Sequence, residues 1–91
     1  MNRQNVIIEN DSWLLDGTLP IDKFKEIFNI EKLPREGNYH MLAGFVVAQM
    51  RQIPSAGDNF ECSGLRFEII DRDKNRFIGI DKMLVTRTSE K

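Results

Sequence analysis

The sequence predicts an α+β domain in the order β-β-α-α-β-β-β, a mostly antiparallel sheet covered on one face by two helices. Three observations carry this expectation. β-branched and alternating runs lie toward both ends of the chain, a helical period lies between them, and turn residues stand at each change of period. Its 91 residues suffice for about one domain.

Val6-Ile7-Ile8-Glu9 reads as a short strand, and Asn10-Asp11 as a turn. Ser12-Trp13-Leu14-Leu15-Asp16 reads as a second strand pairing with the first and ending at Asp16-Gly17. From Pro20 the apolar residues Ile21, Phe24, Ile27 and Phe28 mark one face of a helix that stops around Asn29. Pro20 suits its first turn, where no N–H is missed. Residues 33–38 form a loop. A second helix follows, roughly His40 to Arg51, with Asn38 as its expected N-cap and Ile53-Pro54 as its end. It is apolar almost all round, so its own fold or a partner must cover it. Ser55-Ala56-Gly57-Asp58 reads as a turn. Phe60 and Cys62, then Leu65, Phe67 and Ile69, alternate with polar residues as a hairpin linked at Gly64. Residues 71–75 read as the next turn. Residues 77–85 read as the last strand, bulged at Gly79, with 86–91 a polar tail.

Composition excludes several classes. Thirteen basic against fourteen acidic residues give a net charge of −1, so no basic footprint for nucleic acid or anionic lipid is expected. A chain 41% hydrophobic and 30% charged is that of an ordinary globular domain. The longest largely apolar stretch, Met41 to Ala48, is far short of the ~20 residues a membrane helix needs, so no direct insertion is expected. No signal peptide is read at the N-terminus. Cys62 stands alone and reads as a small buried hydrophobe.

The search for chemistry returns no catalytic residue and no metal ligand set. Asp71, Asp73 and Asn75 share the spacing that opens a calcium loop, but the sixth and twelfth positions hold Arg76 and Lys82 where Gly and Glu are required. His40 is the only imidazole and reads as a surface or capping residue. The glycines form no phosphate-binding fingerprint. Lys23, Lys25, Lys32 and Arg35, interspersed with Asp22, Glu26, Glu31 and Glu36, read as a solubility surface.

One combination is more specific. It comprises Trp13-Leu14-Leu15-Asp16-Gly17, Leu19-Pro20-Ile21, Tyr39-His40-Met41-Leu42-Ala43-Gly44, Ile53-Pro54 with Gly57-Asp58, and Gly64 to Ile69 with Phe67 at its centre. In this order the chain resembles the transporter-associated domain, or CorC/HlyC domain. The resemblance covers residues 6–87, leaving 1–5 as an N-terminal extension and 88–91 as a tail. Met41 replaces the Thr usual in that pattern, which removes a helix-start hydroxyl and leaves the Leu-Ala-Gly packing intact.

The resemblance implies a non-catalytic accessory domain at the cytoplasmic face of the bacterial inner membrane. It would follow a CBS pair and a transmembrane domain in a parent chain linked to magnesium and cobalt efflux or labelled hemolysin-like. The family fold is similar to a subdomain of FAD-binding oxidases, so the alternative is a sensor for FAD or an adenine nucleotide, although no Gly-rich pyrophosphate loop is present. Exposed sheet edges suggest a homodimer as a further expectation. An accessory domain should carry an exposed apolar surface, for which Trp13, Phe45 and Val47 are candidates, with core packing the favoured reading of each.

Overall fold

The computed structural model describes residues 6–9, 11–75 and 79–88, with Val6–Glu9 described by backbone alone. The expectations for residues 1–5, for Asn10 in the first turn, for the start of the last strand at 77–78 and for the end of the tail lie outside these residues.

Seven elements follow in the predicted order: β1 (Val6–Glu9), β2 (Ser12–Asp16), α1 (Ile21–Phe28), α2 (Leu42–Met50), β3 (Asn59–Cys62), β4 (Leu65–Arg72) and β5 (Ile80–Arg87). The strands form one five-stranded sheet, ordered β1-β2-β5-β4-β3, in which every pairing is antiparallel. The last strand thus lies at the centre, between two hairpins. Its C-terminal end ties both hairpins down: Arg87 N–H donates to Asp11 O at 3.1 Å, and Thr88 N–H to Gly64 O at 2.9 Å.

Strand alternation sorts the two faces. Trp13, Leu15, Leu65, Phe67, Ile69, Met83 and Val85 are buried on the side that meets the helices. The opposite face includes the cross-strand row Leu14–Leu84–Glu68–Asn59. On this open face the Ser12 and Thr86 hydroxyls are 3.0 Å apart, and Arg66 pairs with Glu68.

α1 buries Ile21, Phe24 and Phe28, three positions on one side of the helix. Phe24 sits at the middle of the core. Its ring centroid is 4.9 Å from Phe28, 5.8 Å from Phe67 and 6.3 Å from Phe45. Phe28 meets Trp13 edge-on at 4.7 Å, and Phe60 stacks on Phe67 at 4.8 Å. These contacts join α1, α2 and three strands through aromatic rings, each pair adding about 0.5–1.5 kcal/mol beyond its buried area.

Several boundaries differ from expectation. Pro20 is the N-cap of α1, with extended ψ of 141°, and not a first-turn residue. α2 starts at Leu42 with Met41 as N-cap, so Asn38 does not cap it. It ends at Met50, with Arg51 left-handed at φ 61°, several residues ahead of Pro54. β4 continues to Arg72, which moves Asp71 and Arg72 out of the expected turn. β5 runs through Thr86 and Arg87, which therefore are not tail. The Arg87 guanidinium lies over Trp13 and Phe28, 5.5 and 5.9 Å from the ring centroids.

Gly79 lies outside β5, and the bulges fall elsewhere. Successive β4–β5 partners leave Ile70 as the extra residue on β4 and Asp81 as the extra residue on β5. Gly64 does link the β3–β4 hairpin. Ser63 at φ 57° and Gly64 at φ 76° give the two consecutive positive-φ residues that suit the twist of a two-residue hairpin.

Candidate functional site

The motif residues gather at two junctions. The first joins the end of β2 to the start of both helices. Gly17 N–H donates to the carbonyl of Asp81, the extra residue of β5, at 3.0 Å. A Cβ on Gly17 would lie 2.0 Å from Ile80 O, so the backbones approach as only glycine permits. The carbonyls of Gly17 and Leu19 then accept the N–H groups of Ala43 and Leu42, both at 2.9 Å. These are first-turn donors of α2, which the chain caps with backbone because Met41 offers no side-chain acceptor. Ile21 N–H donates in return to His40 O at 2.8 Å, and Pro20 bridges Met41.

Tyr39 completes this junction. It is buried, meets Phe45 edge-on at 5.5 Å and donates its hydroxyl to Pro34 O at 2.5 Å. Gly44 lies beneath it, where an added Cβ would come 2.9 Å from the Tyr39 Cβ. Burial pushes the Tyr39 phenol above its ordinary pKa, with the Glu36 carboxylate adding to the shift. Asp16 pairs with Lys82 on the neighbouring strand, and that hydrogen bond raises the Lys82 ammonium pKa, with desolvation opposing it.

The second junction fastens the turn after α2 onto β4. Asp58 Oδ2 accepts Ser55 N–H at 2.9 Å, and Asp58 N–H donates to Ser55 O at 3.0 Å. Gly57, at φ 96°, donates to Ile69 O at 2.7 Å, and Ile69 N–H donates to Asp58 O at 2.9 Å. Buried Pro54 offers its carbonyl to Arg72 Nη1 at 2.9 Å. Arg72 was not among the residues singled out from the sequence, since a cation next to a presumed turn carries no signal of its own. The structure therefore brings Asp16, Gly17, Pro20, Tyr39, Leu42, Ala43 and Gly44 together at one end of the helices, and Pro54, Gly57 and Asp58 at the other junction. Trp13 and Phe67 stand apart from both, in the core.

The remaining sequence candidates are scattered. His40 is exposed and acts through its carbonyl. Asp71 lies in β4 opposite Lys82, while Asp73 Oδ1 accepts Asn75 N–H at 3.0 Å as an ordinary Asx turn. Among the described residues no three of His, Cys, Asp and Glu converge on a point that could hold a metal ion. The mixed charges around α1 border a shallow depression of about 480 Å³, lined by Asp22, Lys25 and Glu26 among others. Glu36 has a defined task there. It accepts from Lys25 Nζ at 2.5 Å and Leu33 N–H at 2.8 Å, and both bonds hold its carboxyl below the ordinary value.

Trp13 and Phe45 are core residues, as the favoured reading has it, and half-buried Val47 packs against the core, so none of them forms an exposed apolar surface. Among the described residues the large apolar side chains that stand exposed are Met41 and Ile70, each 44% accessible. Cys62 is half-buried, 3.9 Å from the Gln49 amide nitrogen.

A sheet with paired helices on one face and turns fastened by backbone defines a small α+β domain whose motif residues serve its own architecture. The chain belongs to the transporter-associated domain (CorC/HlyC) family, which it matches over residues 6–89. It is similar to a UPF0053 protein of Synechocystis, 51% identical over 84 residues, covering 90% of this chain and 18% of that protein. It is 37% identical to a polyamine export protein of Escherichia coli, over all of this chain and 20% of that protein. The chain thus spans about a fifth of the length of these curated relatives. Among solved structures it resembles the CorC/HlyC domain of a Xylella fastidiosa hemolysin, in complex with Mg²⁺ and Mn²⁺. The TM-score is 0.75 at 38% identity, covering 92% of this chain and 98% of that one. No helix among the described residues is long and apolar enough to cross a membrane.

Proposed function

We propose that this domain is a non-catalytic accessory module of a membrane protein that exports cations, and that it acts through protein–protein contacts at the cytoplasmic face. The observation that carries this reading is the fate of the motif. Gly17, Tyr39, Ala43, Gly44, Pro54, Gly57 and Asp58 are occupied in close backbone approaches, hydrogen bonds and packing within the domain. Residues committed in this way hold the shape of the domain, and the reading rests on that scaffold role, since a fold alone does not imply an activity. Membership in the transporter-associated family supports the link to transport. Magnesium and cobalt are the cargo in our reading; the polyamine named for the Escherichia coli relative is cationic as well. The partners are a CBS pair and a transmembrane domain of the same parent chain.

The test is deletion of residues 6–87 from the parent protein, followed by efflux measurements with Mg²⁺, Co²⁺ and a polyamine in loaded cells. Transport should be weakened or lose its regulation while the membrane protein remains at normal abundance. Efflux and regulation unchanged for all three cations would refute the proposal.

A further inference from the structure

No further inference is drawn: the strongest candidate, the edge of β3 that is free among the described residues, with half-buried Phe60 and Cys62 against Phe45 and Gln49 of α2, is an unpartnered apolar flank, and nothing in the structure shows what covers it.

Discussion

Replacing Gly17 with Ala puts one methyl group where the first junction has no room. The new Cβ would stand 2.0 Å from Ile80 O, about 1.4 Å short of an ordinary 3.4 Å contact, and 3.3 Å from the Ala43 Cβ. The obstacle is backbone in the central strand, so no side-chain rotation relieves it. Overpacking of this kind costs about 1–3 kcal/mol. Moving Gly17 away also stretches its bond to Asp81 O and the bond it accepts from Ala43 N–H, each worth about 1 kcal/mol. The combined loss is about 3–5 kcal/mol, a large part of the ~5–15 kcal/mol that holds a domain folded. Trp13 is the single tryptophan and is buried, so its fluorescence reports unfolding in urea. With an m-value of about 1–1.5 kcal/mol/M, the Gly17→Ala midpoint should fall by about 2–5 M. Amide exchange at Leu42 and Ala43 should accelerate together, because their acceptors sit on the displaced segment. A midpoint lowered by less than about 0.5 M at unchanged m, with both amides still protected, would show that the junction yields freely and that the crowding argument is wrong.

Three further outcomes are expected. Tyr39→Phe loses the bond to Pro34 O and about 1 kcal/mol of stability. Because the native phenol holds its proton above the ordinary value of 10.0, the wild type should lose stability as pH rises from there through the native value. The variant should lack that part of the alkaline decline, and identical alkaline profiles would contradict it. Glu36 has the opposite sign. Its lowered carboxyl contributes stability above the ordinary 4.5 that is lost as pH falls through the native value, so Glu36→Gln should narrow the gap between urea midpoints at about pH 7 and about pH 3. An unaltered gap would exclude the Lys25 and Leu33 bonds as its source. Arg51→Gly relieves a side chain held at φ 61° and should stabilise the domain by about 0.5–1 kcal/mol, after allowing for glycine's greater freedom when unfolded. A thermal midpoint that fails to rise would count against strain at this cap.

The legible part of the fold was that governed by short-range physics. The period of α1, the alternation of β4 and the Gly64 hairpin each depend on residues a few positions apart, and each appears where the sequence places it. Helix ends were harder to place. Asn38 carries a good capping side chain, yet the α2 donors are met by Gly17 and Leu19, more than twenty residues away, and no local pattern announces that. The motif residues were visible as a set, but their tasks were not. Asp16-Gly17 looks like a strand end in one dimension and is in fact the point where β2, β5 and α2 meet.

By itself the sequence determined the order of the elements, the apolar faces of α1 and β4 and membership in a family, because periodicity and motif spacing are written along one chain, whereas α2, apolar almost all round, has its buried side chosen by packing. The tertiary structure alone decided that β5 lies at the centre of the sheet. Alternation along β5 matches a strand with one open face, and a central and an edge strand of such a sheet share that pattern. Putting β5 there requires Asp81 and Ile70 to bulge and Gly17 to lie against the strand without a side chain. It also takes Thr86 and Arg87 from an expected tail into the sheet, since a central strand must supply hydrogen bonds along both of its edges.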